Sequence, residues 1–313
     1  MGRKTRMALP LAAVIALVAL TVATPAMSTT RGTNGLIVYT QELRPDHVQL
    51  FTIHPDGSGA KQITHAVNAG NPDWSPNGKR IVAEMLRAQG GGIFLMAPDG
   101  SNARNLTPKG AQGQPSFSPD GHWIAYERDI ADGNNGVWLM RSSDGKGLRR
   151  VTRNPFGCCD TDPNFSPDGK VISFVRIKSE ENLQALFSAH RDGTHVRQLT
   201  PYSWNVAPKH DWSPDGSLIL LTVNADLVRQ GESTNIVTIR PDGSGRTDLT
   251  HFKAGEDAAF SGSFSPDGKL IVFRLESGGS YSLAVMGLDG SGVQRLTNGA
   301  ARPRFIDWGT SQP

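Results

Sequence analysis

One five-residue motif returns along this chain at near-regular intervals, and it constrains the fold more than any other feature. It reads Trp74-Ser75-Pro76-Asn77-Gly78, Phe117-Ser118-Pro119-Asp120-Gly121 and Phe165-Ser166-Pro167-Asp168-Gly169. It returns as Trp212-Ser213-Pro214-Asp215-Gly216 and Phe264-Ser265-Pro266-Asp267-Gly268, with a degenerate sixth copy read at Phe305-Ile306-Asp307-Trp308-Gly309. A second motif joins an Asp-Gly turn to a Leu-Thr-like ending. Its six copies begin at Asp56, Asp99, Asp144, Asp192, Asp242 and Asp289 and close at Thr64, Thr107, Thr152, Thr200, Thr250 and Thr297. Two interleaved motifs repeating every 40 to 50 residues or so are the period of a propeller blade.

The motif residues are turn formers. Proline presets φ at the first corner, while Asp and Gly supply a side-chain hydrogen bond and the positive φ that hairpin turns need. Ser-Pro-Asp-Gly and Asp-Gly-Ser are therefore read as hairpin chemistry, and no catalytic residue is assigned to them. Each unit resolves into four strands: one ending in the motif aromatic, an alternating run such as Arg80 to Met85, a third such as Ile93 to Met96, and a short edge strand ending at Leu106-Thr107. The body opens with Gly35 to Thr40, which matches a second strand, and finishes with Arg302 to Ile306, which matches a first. The prediction is an all-β, six-bladed β-propeller over residues 34–309, closed by pairing the C-terminal strand with the N-terminal strands and followed by a tail at 310–313. Such closure removes the free sheet edge that would invite aggregation.

Composition agrees with a turn-rich fold: the 313 residues include 35 Gly and 20 Pro, and apolar residues reach 37%. The net charge of +3 comes from Arg3, Lys4 and Arg6, which precede the first acid at Glu42. The body is thus electrically balanced, and a nucleic-acid-binding surface is not expected. That basic start, the apolar run Met7 to Ala23 and the small residues Thr24-Pro25-Ala26 describe a secretory signal over residues 1–28, cleaved near Ala26. The alternative is an uncleaved anchor, the one membrane contact the sequence offers. No cysteine lies near the signal's exit, so a lipoprotein anchor is not expected. The body is expected outside the cytoplasm, periplasmic, cell-wall-associated or secreted.

The Trp/Phe-Ser-Pro-Asp-Gly units resemble the WD40-like repeats of the TolB β-propeller family over about residues 34–309. The resemblance implies an envelope protein whose propeller binds a partner protein, the peptidoglycan-associated lipoprotein in the family's namesake. The namesake carries an α/β domain ahead of its propeller, whereas here the repeats follow the signal directly. Related propellers precede the catalytic domain of prolyl oligopeptidases, but no Gly-x-Ser-x-Gly elbow occurs in this sequence.

The short turns of the repeats share one face, so binding residues are sought on the other, among the long interblade loops. There Tyr202, Trp204, Phe252 and Phe260 are candidate partner anchors, since exposed aromatics dominate protein interfaces. The alternative is packing of each loop on its own blade. Polar residues Asn71, Gln114, Asp162, Lys209 and Arg302, with His210, are assigned to the mouth of the central channel, either as a solvated rim or as a ligand site. Asp162, Lys209 and His210 are the only candidates there for acid–base work. Adjacent Cys158 and Cys159 could form a vicinal disulfide or remain thiols. No metal site and no cofactor are assigned, because no ligand spacing is present. The expectation is a monomeric, non-catalytic scaffold for an envelope or extracellular protein. The alternative is a small-molecule-binding or lyase/hydrolase-type propeller using the channel mouth.

Overall fold

A computed structural model describes residues 31–311 except 66–67, 87–90, 108–111, 129–134, 156–158, 179, 182, 225–232, 254 and 300–301. The signal region 1–28 and Cys158 lie outside the described residues. Six four-stranded antiparallel sheets form a ring. Blade 1 consists of Asn68–Trp74, Ile81–Leu86, Gly92–Met96 and Arg104–Asn105, running from the channel outward. Blade 2 has Gln112–Phe117, Trp123–Arg128, Gly136–Arg141 and Arg149–Arg150. Blade 3 has Asp160–Phe165, Val171–Lys178, Leu183–His190 and Arg197–Gln198. Blade 4 has Asp211–Trp212, Ile219–Val223, Asn235–Ile239 and Thr247–Asp248. Blade 5 has Ala258–Phe264, Leu270–Ser277, Ser280–Gly287 and Gln294–Arg295. The closing blade takes Arg302–Thr310 as its inner strand and completes it with Asn34–Arg44, His47–Ile53 and Lys61–Gln62. The predicted closure is therefore present, with Ile37 opposite Trp308 and Thr40 opposite Arg304.

Each motif residue has a visible task. In the five strong copies the serine hydroxyl donates to the Asp or Asn two residues on, as in Ser166 to Asp168 at 2.7 Å. The same oxygen accepts the N–H that starts the next strand, as from Val171 at 3.0 Å. The threonine that ends each edge strand accepts a backbone N–H of the third strand, from Leu50, Ile93, Val137, Leu186, Ile236 and Leu283. Those N–H groups would otherwise be orphaned where the two-residue ladder stops. The Asn105-Leu106-Thr107 sequence is occupied in the same way, with Asn105 Oδ1 accepting from Thr107 N.

The Asp-Gly turns also set blade against blade. A Cβ on Gly100, which has φ +83°, would lie 1.8 Å from the carbonyl oxygen of Ile63 in the preceding blade. The equivalent glycines meet the equivalent carbonyls of Leu106, Val151, Leu199 and Leu249, and Gly57 meets Leu296 across the closure. Apolar clusters fill the space between neighbouring sheets, for instance Ala125, Val137 and Leu139 of blade 2 against Phe165, Phe174 and Ala185 of blade 3.

Candidate functional site

The inner strands break their ladders at one place. Register shifts fall between Gly70 and Asp73, Gly113 and Ser116, Thr161 and Asn164, and Ser261 and Ser263. A bulge re-aims a side chain and bends its strand. Here the bulged residues are Asn71, Gln114 and Asp162, each at φ 48°, and Lys209 has φ 86° at the equivalent position. Left-handed backbone is costly for residues with a Cβ, about 1 kcal/mol or more apiece. These side chains turn into the channel and line a single cavity there.

The fifth residue of that cavity is Phe305, φ 43°, and not Arg302. The sixth copy is registered three residues later than the sequence reading placed it. Trp308 stands where Trp74 and Trp212 stand, which makes Phe305 the counterpart of Asn71. Arg302 lies instead at the seam with blade 5, its guanidinium 5.0 Å from the Tyr281 ring centre.

Most polar atoms of the ring bind the next blade. Gln114 Oε1 accepts from Asp162 N, and Asp162 Oδ2 accepts from Lys209 N at 2.6 Å and His210 N at 3.0 Å. Asn71 donates to Glu84 at 2.8 Å. A deeper ring repeats the device with residues the sequence reading passed over. Asp73 accepts from Phe117 N, Asp211 from Phe264 N and Asp307 from Trp74 N, at 2.7 to 2.8 Å. The recurring Asp-Trp pair at 73–74, 211–212 and 307–308 was the signal that could have found them, and the register of the last copy with them.

Asp73 and Lys209 keep some surface toward the cavity, but both lie inside the ring of strands, where charges feel low-dielectric walls. Burial, and then the neighbouring Asp307, push Asp73 well above the carboxylate range. Asp211 rises to about 6, again chiefly by burial. Burial alone would lower Lys209, but Asp307, Asp162, Asp211 and Asp73 outweigh it and hold the ammonium charged. Burial would raise Asp162, and the hydrogen bond from His210 together with the charge of Lys209 overcomes it, so this carboxyl sits below its usual range.

Asp162, Lys209 and His210 lie together, an arrangement the sequence did not establish, and they bring Ser173 with them. His210 Nδ1–H donates to Asp162 Oδ2 at 2.9 Å, which leaves Nε2 to accept from Ser173 Oγ–H at 2.6 Å. Trp212 Nε1–H donates to the same Ser173 oxygen at 2.8 Å. The order Ser–His–Asp is that of a nucleophilic triad. Ser173 and His210 are wholly buried, however, and the cavity bounded by Asp162 is about 10 Å³, room for about one water. Such a chain can lock blade 3 to blade 4, with the Ser173 hydroxyl sealed from solvent. Among the described residues no group of three or more His, Cys, Asp or Glu side chains has an arrangement that could hold a metal ion.

Comparison with known proteins bears on this ring of repeats. The sequence matches the TolB beta propeller domain over residues 21–259. The chain belongs to the TolB β-propeller family. TolB from Acinetobacter baumannii superposes with a TM-score of 0.73 at 23% identity, over 88% of this chain and 67% of that one. A putative TolB from Agrobacterium tumefaciens gives 0.62 at 18% identity, over 90% of this chain and 100% of that one. An oligogalacturonate lyase in complex with manganese gives 0.55 at 13%, over 87% and 77%. At these identities the superpositions speak to fold alone.

On the loop face of this TolB-family propeller, the aromatic candidates are seated rather than free. Tyr202 and Trp204 form one 3₁₀ turn, Tyr202–Trp204, after Pro201. The Tyr202 ring lies 6.0 Å from Phe187 and under the Lys178 ammonium at 4.5 Å. Trp204 is half-buried against the blade 4 core, with Arg246 over its face at 4.5 Å. Phe252 packs on the blade 5 core, and Phe260 lies 3.6 Å beneath the Arg274 guanidinium. Beneath the first pair, Arg176 and Asp160 make a buried bidentate ion pair at 2.7 and 2.8 Å, with Arg176 stacked over Phe174 and Phe187. Asn154 ties the loop before it to the carbonyl of Cys159.

Proposed function

We propose that this chain is an exported, non-catalytic scaffold whose loop face docks a protein partner in the envelope or extracellular space. One observation carries the reading: the polar groups of the channel ring are largely committed to interblade hydrogen bonds around a cavity of about 10 Å³. Family membership supports it, because the TolB family resembled at the sequence level acts through protein contacts. The aromatic residues Tyr202 and Trp204 are braced from below and keep one side toward solvent, as an interface anchor requires. Their bracing lowers the entropy cost of docking. The protein acts as a monomer, touches membrane only through an uncleaved leader, and binds no nucleic acid.

The test is crosslinked capture from the native envelope, with wild-type protein beside Tyr202→Ala/Trp204→Ala. The scaffold reading expects one envelope protein captured by wild type and lost by the variant. Because both rings pack on core residues, the double variant should also melt a few degrees lower while keeping the propeller's circular dichroism. Equal capture by both proteins would remove this face from consideration.

A second reading keeps the channel mouth as a small-molecule or lyase/hydrolase-type site, because Asp162 and Lys209 line one cavity and His210 binds Asp162 from behind it. It requires the ring to open. Asp162→Asn would abolish turnover in that case, and would leave a scaffold's partner capture intact.

A further inference from the structure

At the seam between blade 5 and the closing blade, three arginines gather, with Arg302 and Arg304 near enough to repel Arg274. Arg274 stands in the Leu270–Ser277 strand, and Arg302 and Arg304 in the Arg302–Thr310 strand. Arg274 is 6% exposed and rests on the Phe260 ring. Arg302 reaches across the seam onto Tyr281, which is paired in the ladder with Glu276. Arg304 opens to solvent, with its side chain 41% exposed, and also lines a cleft of about 260 Å³ with Thr40 and Phe305.

The cluster concentrates positive charge. Among the described residues Glu276 is the carboxylate at contact distance from Arg274, with Oε1 2.8 Å from Nη2, and it is not aligned as a hydrogen bond. Glu42 lies 3.9 Å from Arg304. Among the described residues Glu276 and Glu42 are the carboxylates in ion-pair contact with these three cations, while Asp46 and Glu84 line the cleft beside Arg304. The Nε–H groups of Arg274, Arg302 and Arg304 are all shielded from solvent, and none has a partner among the described residues. The Thr40 hydroxyl in the adjoining cleft is in the same condition. Burial, opposed by Glu276 and reinforced by repulsion from Arg302 and Arg304, brings Arg274 down to about 10. Holding like charges together with unpaired buried donors costs free energy that a bound anion would return.

We propose that this seam is a binding site for a phosphate group. Arg274 is its buried anchor, and Arg302 and Arg304 close over the anion from the rim. The fork of a guanidinium matches phosphate oxygens two at a time, and three of them from two blades can enclose a tetrahedral oxyanion. The concentrated positive charge suits an anion of one to two negative charges. The site shares Phe260 with the wider set of aromatic candidates but lies apart from the Tyr202 and Trp204 turn, which packs on blades 3 and 4.

The experiment is calorimetric titration of the full chain with inorganic phosphate, with sodium chloride at matched ionic strength as control. Arg302→Gln and Arg304→Gln are run beside wild type, with Arg246→Gln as a basic-residue control away from the seam. Wild type and Arg246→Gln should bind phosphate. Each seam variant should bind about tenfold more weakly or worse, the loss expected for one charge-assisted contact. Without phosphate the seam variants should melt no lower than wild type, because each removes a repulsion. Arg274→Gln is less informative alone, since it also unstacks Phe260. Sedimentation with phosphatidic acid vesicles against phosphatidylcholine vesicles separates the sources. Co-sedimentation lost in Arg302→Gln assigns a lipid-borne phosphomonoester, and titration without co-sedimentation assigns a free one. No heat with phosphate, or equal binding by wild type and both seam variants, would overturn the proposal.

Discussion

Removing the carboxylate of Asp160 tests how the loop face is held in place. Asp160 is fully buried, and Arg176 is 6% exposed between Asp160 and the rings of Phe174 and Phe187. In Asp160→Ala the guanidinium keeps one distant acceptor, the Arg153 carbonyl at 3.4 Å. Stranding one partner of a buried pair costs about 3–5 kcal/mol. For a propeller of this size, each kcal/mol corresponds to about 2–3 °C, so Tm should fall by about 6–15 °C. Scanning calorimetry of Asp160→Ala, Arg176→Met and the double variant Asp160→Leu/Arg176→Met reads this directly. The double variant should recover most of the loss, because replacing both charges by apolar groups removes their desolvation cost. The deficit of the single variant should persist at high salt, since a buried pair is poorly screened. A loss below about 1 kcal/mol in Asp160→Ala, or a double variant no better than the single, would refute the claim that this pair is dry and obligatory. Because Arg176 stacks on Phe187, and Phe187 supports Tyr202, the same variant should weaken partner capture through position alone.

The channel carboxyls predict an unusual pH dependence. Asp211 has a folded value raised to about 6 and Asp73 is raised well above the usual carboxylate range, so both favour protonation in the fold. The Asp211 contribution to stability, at most about 3 kcal/mol, is full at low pH and is lost as pH rises through about 4 to 6. The Asp73 contribution is lost in the same direction as pH rises. The turn aspartates, such as Asp168 and Asp267, are shifted down and lose their contribution only below about pH 4. Tm should therefore be higher near pH 5 than near pH 7, and Asp211→Asn should flatten that slope; an unchanged slope would exclude Asp211 as its source. Gly100→Ala should cost well over 1 kcal/mol by urea unfolding, because strain at φ +83° adds to the clash with Ile63. Gly278→Ala, with φ +57° and open space, should cost about 1 kcal/mol. Ser173 should resist labelling by a fluorophosphonate probe, and Ser173→Ala should cost about 1–3 kcal/mol by stranding Trp212 Nε1–H and His210.

The architecture was legible because its determinants are local. A Ser-Pro-Asp-Gly turn folds on its own hydrogen bonds, and five copies dictate five hairpins wherever the chain goes. The polar channel residues Asn71, Gln114, Asp162 and Lys209 were also legible, since each precedes Pro or His at a fixed distance from the motif aromatic. The last copy was misplaced because Phe305-Ile306 imitates the aromatic that opens the motif. The Asp307-Trp308 pair carries its true register, which pairing with the N-terminal strand, Ile37 to Trp308, fixes through a contact spanning nearly the whole chain. The arginine seam was illegible for the same reason: Arg274 and Arg302 belong to different repeats and meet only when the ring closes. The vicinal disulfide involves Cys158, outside the described residues, and stands as a proposal.

The ring at the channel also shows why polar residues at equivalent repeat positions need not mark a ligand site. In a closed ring every inner strand must hold its neighbour without a ladder between them, because sheets in different blades share no backbone pairing. A side-chain acceptor aimed at the next strand's N–H supplies that hold, as Gln114, Asp162, Asp73, Asp211 and Asp307 do. The requirement recurs once per blade, so the residues recur too. A ligand site imposes the opposite pattern, since one ligand touches a few blades unequally and leaves donors without internal partners. By that criterion the channel ring is mainly construction, and the arginines at the seam of blade 5 and the closing blade, whose Nε–H groups have no hydrogen-bond partner among the described residues, break the repeat in the way a binding site does.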